Sequence, residues 1–392
     1  MNHQRRIDGQ RRAWLRASLG LGAGALAGAF RSDDTSTHDR AGPRAGLRAG
    51  ADRLQWQERV LLGFGTALSL RAAHAHAGVV SQALDDAVAE IRAIESQMSL
   101  FDPDSALCRL NREGCLVDPD WRLVEVLTLA QQVARASDGA FDVTMQPLWR
   151  VWSDASRLGR PATQDEIARA RASVDWRKLE LADHAVRLLA PGMAVSLNGI
   201  AQGYAADRAR AVLQRRGIEH ALLDTGEWAP LGRPAPASPW QLGIADPHQR
   251  DALIATLATD GRCVCTSSDD RTAFSADRRD HHIVDPRVGC SPLRLSGVTV
   301  VAESGALADA LTKVFFMAET RLGGAAAADV TARAGATAHA GARARAGVAP
   351  RFDPALASIA ASIAQSWNVD ALLIDKQGAW WASDGLRLSA PV

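Results

Sequence analysis

The sequence predicts a fold of the α+β class, because its helical and strand patterns alternate too irregularly for a doubly wound parallel sheet. Apolar residues recur at helical spacing in SQALDDAVAEIRAIESQM, whereas VLLGFGTALSLRAA alternates as a strand or a hairpin arm does. Near the C terminus, VDALLIDKQGAWWASDG predicts a hairpin that turns at Lys376, Gln377 and Gly378.

Further elements follow in order along the chain. A second helix is predicted from about Arg122 to Ser137, after a polar loop with the sequence SLFDPDSALCRLNREG. VRLLAPGMAVSLNG predicts strands, and AQGYAADRARAVLQRRG predicts a helix that ends at Gly217, a typical helix stop. Later, GVTVVAESGALADALTKVFFMAE predicts a strand and then a helix that begins near Ser304.

The composition argues against several classes of function. Charged residues make up 23% of the chain and the net charge is +1, whereas nucleic-acid binders normally carry a basic excess. The five cysteines include no C-x-x-C pair, so they indicate neither a disulfide framework nor a zinc site. Cys263 and Cys265 lie on the same face of a predicted strand, where buried thiols are expected.

The N-terminal segment, residues 1–30, resembles a twin-arginine export signal. Arg11 and Arg12 precede a weakly apolar run that is too short and too poorly hydrophobic to span a membrane. Small residues around Gly28 provide a cleavage site. The alternative is an Arg-rich disordered leader with a chance arginine pair. The segment predicts export to the periplasm, with membrane association only through an uncleaved leader or through a partner.

The rest of the chain is predicted to contain a linker and one domain. Residues 31–54 are polar and rich in Gly, Ala and Arg, as linkers are, and the domain occupies residues 55–392. Residues 321–350 are a low-complexity Ala/Gly/Arg insertion in that domain, for which little fixed structure is expected.

Two segments contain polar side chains suited to chemistry. In DGAFDVTMQPLW, an extended segment that Pro147 ends, Asp142 is either a solvent-facing strand residue or a hydrogen-bond acceptor for a flat polar ring. In RRDHHIVDPRVG, His281 and His282 point to opposite sides of the chain, so one of them could accept a proton, and zinc is not favoured. The alternative is a His-rich turn in which Asp285 bonds the backbone.

Two more segments suit an anionic ligand and a cation. Asp309 lies one helical turn before Thr312 and Lys313, so a carboxylate and a hydroxyl share a face that suits Mg²⁺. An ion pair between Asp309 and Lys313 is the usual alternative. In SLNGIAQGYAAD, Gly199 allows close backbone approach, and amides at the helix start favour a pyrophosphate. This segment matches neither a P-loop nor a Rossmann fingerprint.

Taken in order, these segments resemble the ApbE-like FAD:protein FMN transferase family. The series comprises LLGFGTALS, MSLFDPDSALCRLN, GAFDVTMQPLW, LNGIAQGYAADRA, LLDTGE, WQLGIADP, HHIVDPRVG and VTVVAESGALADALTKVFF. It covers roughly residues 56–320 and resumes at 367–388. The resemblance implies a T-fold-related architecture with two α+β parts around an FAD cleft, and Mg²⁺ on the pyrophosphate. It also implies that FMN is transferred from FAD to a Thr or Ser hydroxyl of an exported or membrane-bound acceptor protein, with release of AMP.

The resemblance further implies roles for individual residues. His282 matches a histidine that takes the proton from the acceptor hydroxyl, and Asp309 matches a direct metal ligand in the catalytic site. Gly199 matches a residue whose backbone carbonyl binds the metal. The positions that match FAD contacts are Phe64, Phe101, Ala140, Phe141, Asp142, Ser196, Gln202 and Ile283.

Three positions depart from the common family pattern. Ser196 and Gln202 stand where many members have Asp and Lys, in a variant, LNGIAQG, that recurs within the family. Lys313 stands where the family commonly has a threonine, and an ammonium group cannot ligate Mg²⁺. Either Thr312 replaces that threonine after a small rotation, or the metal site is weaker or lost.

The predicted function is therefore Mg²⁺-dependent protein flavinylation with FAD as the substrate. A cation that bridges the phosphates would neutralise developing charge, and a base would deprotonate the nucleophile. Two alternatives remain open at this point: a periplasmic FAD-binding or flavin-supply protein with little transferase activity, and an FAD pyrophosphatase that uses water as its nucleophile.

Overall fold

The structure, a computed structural model, describes residues 54–234, 238–322 and 351–391. The predicted export signal, linker and insertion lie outside the described residues, except for residues 54, 321 and 322. Residues 321 and 322 belong to a short 3₁₀ helix, Met317–Leu322. Within the described part of the chain, no helix is both long and apolar enough to cross a membrane.

A central sheet of eight strands organises the molecule, and neighbouring strands in it are antiparallel. In spatial order its strands are β1 (Gln55–Gly63), β2 (Thr66–His74), β6 (His220–Asp224), β7 (Trp228–Leu231), β10 (Cys263–Ser268), β11 (Leu295–Ala302), β12 (Asp370–Asp375) and β13 (Trp380–Ala382).

Two three-stranded antiparallel sheets accompany the central one. The first contains, in spatial order, β14 (Leu388–Ser389), β9 (Leu253–Ala258) and β8 (Gln241–Ala245). The second contains β3 (Cys115–Val117), β5 (Ala185–Leu188) and β4 (Leu179–Ala182). The antiparallel pairing and the separate helices confirm the predicted α+β class.

Eight α-helices are described, and six of them contribute buried residues to the main core. They are α1 (Ala77–Met98), α2 (Ala106–Glu113), α3 (Trp121–Ala136), α4 (Gln146–Arg157), α5 (Gln164–Arg171), α6 (Ala201–Arg215), α7 (Gly305–Phe316) and α8 (Pro354–Trp367). Helix α1 packs on β1 and α6, α6 packs on α7, and α7 packs on β10 and β11. The fully buried apolar face of α1 includes Leu84, Ile91 and Ile94, which recur at the helical spacing that the sequence shows.

Most predicted elements are present. Strands β1 and β2 form the predicted hairpin, which turns at Phe64 and Gly65. Helix α7 begins after its N-cap residue Ser304, and the C-terminal hairpin joins β12 to β13. Cys263 and Cys265 are both fully buried on β10, as their spacing predicts.

The structure corrects three local predictions. The segment SLFDPDSALCRLNREG contains α2 instead of only a loop, because Ser105 caps a helix there by accepting a hydrogen bond from Cys108 N–H. Pro147 lies in the first turn of α4 and does not end an extended segment, since a proline costs no hydrogen bond at that position. Finally, β5 ends at Leu188, so SLNG is an irregular turn and not a strand.

Candidate active site

Helix α7 carries the carboxylate of Asp309 into the interior. The residue is 1% exposed, and both of its carboxylate oxygens accept hydrogen bonds. Oδ1 lies 2.5 Å from Nζ of Lys313, one turn further along the same helix, and Oδ2 accepts from the backbone N–H of Gly203 at 3.3 Å. Asp309 and Lys313 thus form the ion pair that was one of the two alternatives for this helix.

The hydroxyl of Thr312 is hydrogen-bonded to groups other than the Asp309 carboxylate. It donates to the backbone carbonyl of Asp309 at 2.7 Å and lies 2.8 Å from Oγ of Ser267 on β10. Thr312 is fully buried, so its hydroxyl is already satisfied within the protein.

Helices α6 and α7 approach each other so closely that their backbones touch. A Cβ added to Gly203 would overlap the carbonyl of Gly305, so only glycine fits at this crossing. Asp207, one turn after Gly203, uses its carboxylate to cap the start of α7. Sequence reasoning missed Asp207, although its i, i+4 spacing from Gly203 places both residues on one helix face.

The turn before α6 brings three predicted site residues together. A Cβ added to Gly199 would lie 3.0 Å from Cε of Lys313 and 3.5 Å from Cε2 of Phe141. Ser196 is fixed nearby, because its backbone N–H donates to the carbonyl of Val143 at 2.8 Å. The segments that contain Phe141, Gly199 and Asp309 therefore meet around the Lys313 side chain.

Asp142 is buried and holds its own segment in place. Its carboxylate accepts hydrogen bonds from the backbone N–H and the hydroxyl of Thr144, at 2.8 and 2.7 Å, and from the backbone N–H of Trp176 at 3.0 Å. Burial raises the pKa of this carboxyl, and these hydrogen bonds oppose the shift. The solvent-facing alternative for Asp142 is therefore excluded.

The adjacent histidines have separate environments. His281 is fully buried, and its backbone N–H donates to Oγ of Ser291 at 2.9 Å. Nδ1 of His282 lies 3.2 Å from the backbone carbonyl of Thr272, which can only accept, so Nδ1 carries the ring proton and Nε2 is the basic nitrogen. Burial lowers the pKa of His282 to about 4, and the positive charge of Lys313 adds to this shift.

Glu227 is a further buried acid that sequence reasoning did not single out. It follows β6 in the segment LLDTGE and is 6% exposed, and its carboxylate accepts from Thr266 N–H at 2.9 Å. Burial and then the charge of Asp309 raise the pKa of Glu227 well above its ordinary value, while the charge of Lys313 opposes this. The sequence did contain a sign of this residue. Glu227 is an acid that directly follows a glycine turn at the end of a strand.

The remaining residues that were predicted to contact FAD lie in or beside these segments. Gln202 occupies the space beside Gly226, where an added Cβ would overlap its side-chain amide, and its backbone carbonyl accepts from the Thr225 hydroxyl at 2.9 Å. Phe64 has a positive φ at the hairpin turn, and its N–H donates to Glu95 at 2.9 Å. Ala140 and Ile283 are buried, whereas Phe101 is 38% exposed.

The fold is similar to that of solved ApbE proteins. The ApbE protein of Thermotoga maritima matches with a TM-score of 0.68 at 23% sequence identity, over 84% of this chain and 97% of that chain. The flavin transferase ApbE of Vibrio cholerae matches with a TM-score of 0.64 at 20% identity, over 85% of this chain and 98% of that one. At these identities the likeness shows the fold.

In sequence, the model of the ApbE family matches residues 64–336, and the chain belongs to that family. The FAD:protein FMN transferase of Salmonella typhimurium is 30% identical over 228 residues, which are 54% of this chain and 64% of that protein. The match thus spans less than two thirds of that relative. The FAD:protein FMN transferase of Treponema pallidum is 29% identical over 296 residues, 69% of this chain and 81% of that protein.

Proposed function

We propose that this chain is an enzyme that transfers FMN from FAD to a Thr or Ser hydroxyl of an acceptor protein and releases AMP. Membership of the ApbE family and the similarity to proteins named FAD:protein FMN transferase support the proposal. Within this chain, the observation that carries it is the hydrogen bond of His282. Nδ1 lies 3.2 Å from the backbone carbonyl of Thr272, so the ring proton is on Nδ1 and Nε2 is the nitrogen that can accept a proton.

The chemistry requires a base, an aligned nucleophile and positive charge near the phosphates. Nε2 of His282 accepts the proton of the acceptor hydroxyl, and the hydroxyl oxygen then attacks the phosphorus of the FMN half. The bond between this phosphorus and the bridging oxygen breaks, and AMP leaves with that oxygen. The ammonium of Lys313 supplies charge beside the turn at Gly199. No covalent intermediate with the enzyme is needed.

The Mg²⁺ that the sequence predicts would be held by Asp309, the carbonyl of Gly199 and the hydroxyl of Thr312. These donors, as folded, do not fit a divalent cation. One carboxylate oxygen of Asp309 is bound by an ammonium group, and the Thr312 hydroxyl is bound to Ser267 and to backbone. Among the described residues, no three His, Cys, Asp or Glu side chains are grouped as a metal site. No step of the proposed reaction therefore runs through Mg²⁺.

We also propose that the reaction takes place in the periplasm, on exported or membrane-bound acceptors. The support for this location is the arginine pair, Arg11 and Arg12, ahead of a weakly apolar run. Fusion of residues 1–30 to a reporter that is active only after export tests the proposal. Loss of export on Arg11→Lys with Arg12→Lys is expected, and a reporter that stays inside with the intact pair would contradict it.

The transfer itself is tested by incubating the protein with FAD and a Thr-containing acceptor domain, followed by mass spectrometry of the acceptor. Covalent FMN on the acceptor, together with AMP, is the expected result. AMP and free FMN without modified acceptor would indicate an FAD pyrophosphatase instead. Tight FAD binding without turnover would indicate a flavin carrier.

The role of His282 is tested by replacing it while FAD binding is followed separately. His282→Ala is expected to lower the transfer rate by a factor of about 10² to 10⁴, with FAD still bound, because only the proton acceptor is lost. The matched control is His184→Ala, since the His184 side chain is 87% exposed. Equal transfer rates for the two variants would contradict the role of His282 as the base.

A further inference from the structure

We propose that the ammonium group of Lys313 binds the FAD pyrophosphate in place of a divalent cation, so that this chain handles FAD without Mg²⁺. The inference rests on the proposed function, because it names the group that neutralises the phosphates in the same site. It concerns a residue of this chain that departs from the family pattern.

The ammonium of Lys313 lies where a metal ion bound to Asp309 would lie. Nζ of Lys313 lies 2.5 Å from Oδ1 of Asp309 and 3.1 Å from the backbone carbonyl of Asp309. The second carboxylate oxygen accepts from Gly203 N–H. A cation at Asp309 would have to displace the ammonium or lie beside it, and two cations at such a distance repel each other strongly. The Asp309 carboxylate thus already has its counter-ion.

The hydroxyl of Thr312, the other candidate metal ligand on α7, is already hydrogen-bonded within the protein. A Mg²⁺ site built with Thr312 needs its hydroxyl beside the Asp309 carboxylate. That hydroxyl is fully buried, is paired with Ser267, and donates to the backbone of Asp309. Bringing it to a metal would break both hydrogen bonds and leave the Ser267 hydroxyl to find a new partner.

The side chain of Lys313 extends along the glycine turn before α6. Cε of Lys313 lies against Gly199, in the glycine turn that precedes α6, where the helix start favours a phosphate. The Lys313 side chain is 20% exposed, whereas that of Asp309 is 2% exposed. The ammonium therefore lies between a buried carboxylate and the accessible turn. A flexible stem allows it to contact a phosphate oxygen while it stays close to Asp309.

The choice of lysine is unusual for this chain. Only three of its 45 Lys and Arg residues are lysines: Lys178, Lys313 and Lys376. A guanidinium is planar and larger, whereas the ammonium of Lys313 is a compact charge beside Gly199. A compact positive charge is also what a bound metal ion would otherwise provide.

The test measures cation binding and FAD binding separately from transfer. Mn²⁺ binding is followed by electron paramagnetic resonance, and FAD affinity is followed by flavin fluorescence with EDTA or with added Mg²⁺. The wild-type protein is expected to bind FAD equally well in both conditions and to hold no Mn²⁺ in this site. Lys313→Thr is expected to bind FAD at least tenfold more weakly in EDTA, to recover with Mg²⁺, and to bind one Mn²⁺.

Lys178→Thr is the matched control, because the Lys178 side chain is 48% exposed and pairs only loosely with Asp175, at 3.8 Å. It is expected to behave as the wild type does. Lys313→Met, which keeps the stem and removes the charge, covers the case in which Lys313→Thr does not fold. The inference is overturned if wild-type FAD binding is lost in EDTA and restored by Mg²⁺. One Mn²⁺ bound by the wild type and lost in Asp309→Ala would overturn it as well.

The two proposals fail in different ways. FAD binding that is independent of EDTA, without FMN transfer, contradicts the proposed function and leaves Lys313 as the phosphate ligand. FMN transfer that requires Mg²⁺ contradicts the inference and supports the proposed function. A wild-type protein that binds no FAD in any condition contradicts both.

Discussion

The carboxylate of Asp207 accepts a hydrogen bond of 2.7 Å from the backbone N–H of Gly305, the first residue of α7. It also accepts from Ala306 N–H at 3.0 Å and from the Ser304 hydroxyl at 2.8 Å. Since Asp207 belongs to α6, its negative charge caps a neighbouring helix and not its own. This cap fixes the helix that carries Asp309 relative to the glycine turn before α6.

Replacing this cap should therefore destabilise the protein. Asp207→Ala leaves two backbone N–H groups and a hydroxyl without their acceptor, and we expect the free energy of unfolding to fall by about 2 kcal/mol. Urea denaturation measures the change. Asp85→Ala is the control, because the Asp85 side chain is 56% exposed and pairs with Arg59 at the surface. Equal stability of the two variants would argue against an inter-helix cap.

The crossing of α6 and α7 predicts a second stability effect. Gly203→Ala places a methyl group on the carbonyl of Gly305, where neither backbone can move away, and we expect a loss of about 3 kcal/mol. Gly78→Ala in α1 is the matched control, since an added Cβ meets nothing within 4 Å there. That variant should be neutral or more stable by up to about 1 kcal/mol. Thermal unfolding measures the stability of both variants. Equal stability of Gly203→Ala and the wild type would disprove the close contact.

Asp142 is expected to have a structural role whether or not it also touches FAD. Asp142→Ala deprives three buried donors, two on Thr144 and one on Trp176, of their acceptor. We expect a loss of about 3 kcal/mol in the free energy of unfolding. Unfolding and FAD titration should be measured on the same variant. Weaker FAD binding with unchanged stability would assign Asp142 to the ligand alone.

The lowered pKa of His282 sets the pH dependence of transfer. The pKa is about 4 in the folded protein and 6.5 for an ordinary histidine, so the unfolded chain binds the proton more tightly. His282 therefore stays a neutral base as the pH falls from 7 to about 5, and its contribution to stability is lost as the pH falls from 6.5 to about 4. NMR titration of the imidazole and the pH profile of kcat/KM measure this. A bell-shaped profile with a limb near pH 6.5 that disappears in His282→Gln would contradict it.

Much of the fold follows from periodicity in the sequence. Helices α1 and α7, the first hairpin and the last hairpin have long apolar patterns, and such patterns report burial directly. Helix α2 was not predicted because it is only eight residues long and half of them are polar, so its apolar pattern is short, and the cap by Ser105 marks its start. The start of α4 was missed because Pro147 is compatible with a first helical turn as well as with the end of an extended segment.

The candidate active site could be predicted from sequence patterns only in part. Family resemblance singled out Asp309, His282 and Gly199, whose positions in the sequence are far apart. The roles of Asp207 and Glu227 depend on which groups lie next to them in space, and no local pattern contains that information. The sequence left the partner of Lys313 open between a phosphate and Asp309. Only the geometry shows that the ammonium and the Asp309 carboxylate are paired.

The backbone contact between Gly203 and Gly305 makes α6 and α7 one mechanical unit. No side chain separates the two helices there, so a change of rotamer cannot absorb a sliding movement between them. The walls of the site that carry Gln202 and Asp309 therefore move together. We expect this helix pair to keep its geometry when a ligand as large as FAD enters the site.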